Sequence, residues 1–320
     1  METTRVNAVF EGGGVRGISL TGAVRAAEEH GIVFDRVAGT SSGSIIAALL
    51  AAGYTADEMK AAIERTPPSS LLTRSAFFNL KPIGPALRLF LRKGLYSGKR
   101  LEQWIAELLA VKGVCAFGDL PEGKLRIIAS DITNGKLLVL PGDIAQYGIS
   151  PERLSVARAV RMSTSIPYFF DPVLLRQPYK ERKKRAVASK FSYVVDGGLL
   201  SNFPLWLFRH DESSEETAPV IGFQMVGRSD AQPHRIDGPI SMFQAMFETM
   251  LSAHDERYIE KNKEIRTIKI PTLGIGGTEF HLSPEKSEAL YRSGLEAGEK
   301  FFRNWDRKLG MLKVTIAKRT

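Results

Sequence analysis

The chain opens on alternating short apolar runs and longer stretches of helical period. Arg5 to Phe10 (RVNAVF) is rich in β-branched and aromatic residues and predicts a strand. Apolar positions from Ile18 to His30 recur at helical spacing, and Gly31 stops them as a C′ residue. Ile32 to Val37 predicts a second strand, and Ser42 to Ala52 a second helix ended by Gly53. Thr55-Ala-Asp-Glu58 reads as a capping box that starts a third helix. Further strands are expected at Leu125 to Ala129, Leu137 to Leu140, Tyr193 to Val195, Val220 to Met225 and Arg266 to Ile270. Further helices are expected at Lys99 to Leu109, Pro239 to Lys263 and Pro284 to Trp305. Strands alternating with helices predict a three-layer α/β/α protein around a central, mostly parallel sheet.

The 320 residues read as one domain over 1–320, because no repeat and no Pro/Gly/Ser-rich linker divides them. Two segments break the pattern. Thr66 to Gly98 mixes turn residues with apolar and basic ones and reads as an inserted cap. Lys180 to Lys190 carries the basic run KERKKR and reads as a surface insertion. Residues 303–320 read as a C-terminal tail.

Composition narrows the class. A share of 43% hydrophobic and 25% charged residues suits a globular protein with a full core. The single Cys excludes a disulfide framework and a Cys-based zinc site, and favours a reducing compartment. The longest purely apolar stretch, Ile45 to Ala52, is far short of the ~18 residues a spanning helix needs. No signal-peptide core follows Met1, so the expected location is cytoplasmic. The net charge of +9 favours anionic partners. With no basic helix or aromatic stacking motif, nucleic acid is not expected, and an anionic membrane surface or no polyanion at all stays open on charge alone.

Candidate chemistry lies in three glycine-containing turns. Gly39-Thr40-Ser41-Ser42-Gly43 follows a predicted strand and opens a predicted helix, as a nucleophile elbow requires. Ser41 would then sit above a helix N-terminus that favours developing negative charge. Gly12-Gly13-Gly14-Val15-Arg16-Gly17 occupies the same kind of position one strand earlier. Gly12, Gly14 and Gly17 fit a dinucleotide fingerprint, with Asp35 near a ribose-binding position. The same loop also offers unhindered backbone N–H groups for an oxyanion hole. The hydrolase reading accounts for both glycine loops, and the dinucleotide reading for one.

A serine nucleophile needs a base. Asp196 ends the apolar strand Val194-Val195 and precedes Gly197-Gly198. Any of His210, His234, His254 and His281 could instead complete a Ser–Asp–His set in the chain order of α/β-hydrolases. None of them sits at a strand end with turn glycines, which favours a Ser–Asp dyad. No His/Asp/Glu cluster has the spacing of metal ligands, so neither a metal nor a cofactor is expected.

These residues resemble the patatin-like phospholipase family of lipid acyl hydrolases. The resemblance joins a G-G-G-x-[K/R]-G loop at Gly12 to Gly17, a G-T-S-[S/A]-G elbow at Gly39 to Gly43 and D-G-[G/A] at Asp196 to Gly198. It continues through Ser165-Ile-Pro-Tyr-Phe-Phe170, Asn202-Phe-Pro204 and Phe280-His-Leu-Ser283. It covers about residues 6 to 302, poorly at 66–98 and 180–190. It implies a patatin-like fold and cleavage of fatty-acyl esters through an acyl-enzyme, with Ser41 as nucleophile and Asp196 as base. It also implies an oxyanion hole from Gly12, Gly13, Gly14 and Ser42. Arg16, Gly17, Gly39, Gly43, Gly197 and Gly198 would support the site. The implied substrate is a phospholipid or other acyl ester, met at a membrane surface by the apolar and basic residues of Thr66 to Gly98 and by Arg182 to Arg185.

Overall fold

The computed structural model describes residues 3–73, 83–177, 190–208, 218–227, 236–238 and 266–317, with residues 241–243, 245, 246 and 249 of one helical stretch. Strand β1 (Thr4–Phe10) and helix α1 (Ile18–Glu29) begin a right-handed α/β progression. It continues through β2 (Ile32–Thr40), α2 (Ser42–Ala51), α3 (Ala56–Arg65), α4 (Ile83–Arg92), β3 (Gly94–Tyr96) and α5 (Lys99–Val111). Next come β4 (Leu125–Asp131), β5 (Lys136–Leu140), α6 (Val156–Ser163), β6 (Tyr168–Phe170), β7 (Val173–Arg176) and β8 (Phe191–Asp196). The chain then forms β9 (Val220–Val226), β10 (Arg266–Pro271) and α7 (Pro284–Ala317).

The main sheet runs β10-β9-β1-β2-β4-β8-β7, with β5 also pairing β4. Strands β10, β9, β1, β2 and β4 are mutually parallel, and β5, β8 and β7 join antiparallel. The protein is therefore a three-layer α/β/α fold with a mostly parallel sheet. Alternation along β1 divides its residues between two cores. Val6, Ala8 and Phe10 pack with α1 and α2 on one face, and Val9 packs with Phe203, Leu205 and Phe208 on the other. Burial on both faces explains why these strands read as continuous apolar runs.

Several elements depart from the pattern expected of the sequence. β2 continues three residues past Val37, because Ala38, Gly39 and Thr40 pair with β4. Helix α7 runs beyond Trp305 to Ala317. The three-residue strands β3 and β6 form a separate parallel pair, Gly94 opposite Tyr168 and Tyr96 opposite Phe170, which ties the end of the Thr66 to Gly98 segment to the body. Arg88 of α4 reinforces that tie: its guanidinium clasps Asp171 in a bidentate pair at 2.8 and 2.9 Å. Most of the expected helix Pro239 to Lys263, residues 74–82 of the cap and the basic run Arg182 to Arg185 lie outside the described residues.

Candidate active site

The two glycine loops leave the carboxyl ends of adjacent strands, and the Asp196 turn meets them from β8, which lies beyond β4 and runs antiparallel to it. β1 and β2 are parallel neighbours with Phe10 opposite Gly39, so the loop beginning at Glu11 and the elbow at Ser41 leave the sheet side by side. Asp196 ends β8, which pairs with β4 through Ala129. Hydrogen bonds then lock the three turns together. Gly12 N–H donates to Asn202 O at 3.2 Å, and Asn202 Nδ2 returns a bond to Gly12 O at 3.1 Å. Thr40 Oγ1 donates to Ser201 O at 3.0 Å.

The elbow is as tight as its glycines require. A Cβ on Gly39 would lie 2.3 Å from Gly43 O, and one on Gly43 would lie 2.3 Å from Phe10 O. Between them Ser41 adopts φ 51° and ψ −126°, a conformation that L side chains avoid. The strained residue is gripped at both backbone polar groups. Its N–H donates to Ser163 Oγ at 2.9 Å, and its carbonyl accepts Ser44 Oγ at 2.6 Å.

Ser41 Oγ donates to Asp196 Oδ2 at 2.7 Å. The other carboxylate oxygen, Oδ1, accepts Gly198 N–H at 2.8 Å. Ser41 and Asp196 are 6% and 1% exposed, so both stand nearly dry. Burial pushes the Asp196 carboxyl up to about 7, and the bonds from Ser41 and Gly198 oppose that rise. Its ionisation is thereby moved from the ordinary carboxylate range towards neutral pH.

The remaining expected residues fall as follows. Gly13 N–H donates to Ser42 Oγ at 3.0 Å, so the amides of Gly12 and Gly13 are both engaged within the protein. The N–H groups of Gly14 and Ser42 have no acceptor among the described residues, and both residues line the cavity at Ser41. Gly17 caps α1, and Gly197 and Gly198 form the turn after β8. Arg16 Nε donates to Gly13 O at 3.0 Å and lines a small cleft beside Ser41 with Asn202, Gly277 and Thr278. Asp35 lies well before the end of β2 and pairs with Arg5 at 3.3 Å on the surface. His281 is exposed, and His30 sits against Glu299 and Phe302. His210, His234 and His254 lie outside the described residues. Among the described residues no group of His, Cys, Asp and Glu is arranged to hold a metal, and no helix is long and apolar enough to cross a membrane.

On its other side Ser41 opens into an apolar cavity of about 110 Å³, walled by Val15, Ile45, Ile46, Leu71, Trp104 and Phe280. Leu71 comes from the Thr66 to Gly98 segment, so part of the expected cap lines the site. Sequence reasoning passed over Gly277 and Thr278, although the run Gly274-Ile-Gly-Gly-Thr278 signals a turn. It also passed over Ser163, whose helical position gave no sign of a contact with the elbow.

The buried Ser41–Asp196 pair thus stands at an elbow, with an apolar cavity and a small cleft opening beside it. Comparison with known proteins supplies the family. The Patatin-like phospholipase family profile matches residues 8–209, and the chain belongs to that family. It is 46% identical over 302 residues to the uncharacterized protein YqhO of Bacillus subtilis, covering 94% of this chain and 99% of that one. A stretch of 49 residues, 15% of this chain and 3% of the relative, is 49% identical to Lysophospholipase NTE1 of Eremothecium gossypii. The crystal structure of VipD from Legionella pneumophila shares the fold, with a TM-score of 0.55 at 18% identity over 95% of this chain and 67% of that one.

Proposed function

We propose that the protein is an acyl hydrolase of phospholipids or lysophospholipids, working through a Ser41–Asp196 dyad and an acyl-enzyme. The 2.7 Å bond between Ser41 Oγ and Asp196 Oδ2 carries this reading. Family membership supports lipid hydrolysis. In the first step Asp196 Oδ2 takes the Ser41 proton as Oγ attacks the ester carbonyl carbon. The N–H groups of Gly14 and Ser42, free of internal acceptors among the described residues, hold the resulting oxyanion. Asp196 then returns the proton to the departing alcohol. Water, deprotonated by the same carboxylate, attacks the acyl carbon, and the fatty acid leaves as Asp196 returns that proton to Ser41 Oγ. The apolar cavity receives the acyl chain, and the small cleft bearing Arg16, Asn202 and Thr278 takes the alcohol side of the ester.

Labelling with a fluorophosphonate, followed by peptide mapping, tests the reading. Modification at Ser41 with parallel loss of esterase activity is expected. An unlabelled Ser41 in folded protein would refute it, and bound NAD or FAD in its place would favour the dinucleotide alternative built on Gly12, Gly14 and Gly17.

The pH dependence follows from the carboxylate. The base must be ionised, and its ionisation is centred near 7. The rate constant kcat/KM should therefore level off above that pH and fall about tenfold per pH unit below it. A pH–rate profile flat between 5 and 8 would exclude Asp196 as the base.

The exposed face of α4 suits a lipid–water interface. Phe90 of α4 is 82% exposed, with Leu91 exposed beside it and the cations Arg92 and Lys93 following. Replacing Phe90 with Asp should weaken sedimentation with anionic vesicles by about tenfold or more, the scale of one large apolar side chain. Turnover of a soluble short-chain ester should stay as in wild type. Unchanged vesicle binding would remove α4 from the membrane contact.

A further inference from the structure

The two dyad residues are 155 positions apart in sequence, yet one short segment touches the backbone of both. That segment is the C-terminal turn of α6. Ser163, its last residue and fully buried, accepts the Ser41 N–H at 2.9 Å. Two residues later Ser165 O accepts the Asp196 N–H at 2.9 Å. The turn is itself pinned from within the protein. Buried Arg161 donates to Ser165 Oγ and to Asp171 O, and Ser165 Oγ donates back to Arg161 O at 2.6 Å.

The two contacts differ in kind. Asp196 is held through a main-chain carbonyl, which no substitution at 165 removes. Ser41 is held through a side chain, which a substitution can remove. The need for that side chain follows from the elbow. With φ at 51°, the Ser41 peptide is strained, and its N–H lies in buried surroundings, where an amide without a partner is costly. A hydroxyl fixed on a packed helix meets it and sets the orientation from which Oγ reaches Asp196.

We propose that Ser163 is a positioning residue for the acyl-transfer reaction. Its hydroxyl holds the strained nucleophile at bonding distance from Asp196 and does not touch substrate. The proposal rests on the Ser41–Asp196 reading given above. Loss of the hydroxyl lets the elbow peptide relax, lengthens the Oγ–carboxylate bond and lowers the rate of acylation. Substrate binding in the apolar cavity is little changed, because Ser163 does not line it.

The test is steady-state hydrolysis of a soluble p-nitrophenyl ester, with active sites counted by fluorophosphonate titration so that kcat refers only to folded, competent enzyme. Ser163→Ala should lower kcat per titrated site by about 10–100-fold, the cost of small misplacements of reacting groups, with KM within a few-fold of wild type. Ser163→Thr, which keeps an oxygen at the same branch point, should recover most of that loss. A purely structural role would cut the number of titratable sites and leave kcat per site intact, and that outcome overturns the proposal. So does an equal loss in the Ala and Thr variants. If Ser163→Ala does not fold, Ser163→Cys decides: a lowered kcat per site supports the assignment, because sulfur is a weak acceptor, and a wild-type value overturns it. A wild-type protein that neither takes up the probe nor hydrolyses the ester overturns the underlying dyad reading, and Ser163 falls with it. An active wild type with an undiminished Ser163→Ala removes Ser163 alone.

Discussion

Asp196→Asn should lose ester hydrolysis and gain thermal stability at the same time. The loss follows from the amide's inability to take a proton from Ser41, and removal of a general base commonly costs about 10²–10⁴-fold in rate. The gain follows from the burial that raises the carboxyl from 3.8 to about 7. A carboxyl whose folded pKa lies above its unfolded one stabilises the fold fully below pH 3.8, and that contribution is lost as pH rises through 7. At pH 8 the native state therefore carries a charge that its surroundings disfavour. At 1.36 kcal/mol per unit, the gap of about three units sets a ceiling of roughly 4 kcal/mol. Asn is uncharged, is nearly the same shape, and can accept Gly198 N–H on its Oδ1 while its Nδ2 donates to Ser41 Oγ. Melting curves of the two proteins should coincide near pH 4 and separate in favour of Asn towards pH 8. A variant that melts lower than wild type at pH 8 would mean that the carboxylate is not disfavoured by burial.

Such a trade of stability for reactivity belongs to sites where local rules are broken, and those were the places most legible in the sequence. Gly39 and Gly43 bracket Ser41 because only glycine tolerates their close backbone approaches, so the elbow leaves a mark in the sequence. Asp196 was not distinctive by itself, since an Asp-Gly turn is common at strand ends, and it became a candidate only beside the elbow and the glycine loop. The parallel sheet was recognisable from its strand–helix alternation. The bounds of β2 were not, because Ala38, Gly39 and Thr40 look like a turn and become strand only by pairing with β4. The β3–β6 pair was hidden for a similar reason. Three-residue strands carry no periodicity, and their partners lie far apart in the chain.

Which loop amides stay without an internal acceptor was beyond the sequence for a different reason. Gly12, Gly13 and Gly14 look alike as letters, and only the fold commits two of their amides, to Asn202 O and Ser42 Oγ. Ser163 escaped notice because its contact with Ser41 spans 122 positions, and a serine in the last turn of an ordinary helix has nothing to mark it. Single residues with unusual backbone or unusual neighbours can thus be read from the chain. Residues that matter through one tertiary hydrogen bond cannot.

Replacing Ser41 should give the other large effect, and the choice of replacement separates chemistry from strain. Ser41→Ala and Ser41→Gly should both reduce hydrolysis to background, because neither side chain supplies a nucleophile, and loss of such a group costs about 10⁶-fold in kcat in a well-studied serine protease. Their stabilities should differ. Alanine keeps a Cβ at φ 51° and ψ −126°, a strain of order 1–3 kcal/mol, and glycine does not. Glycine forfeits about 0.4–1 kcal/mol through its freer unfolded chain. Both variants equally leave Asp196 Oδ2 without the Ser41 hydroxyl, so that cost cancels in the comparison. Denaturant unfolding should therefore find Ser41→Gly more stable than Ser41→Ala by about 1 kcal/mol. Equal stability, or alanine the more stable, would show that the elbow carries no strain, and the physical reason for holding its amide on Ser163 would go with it.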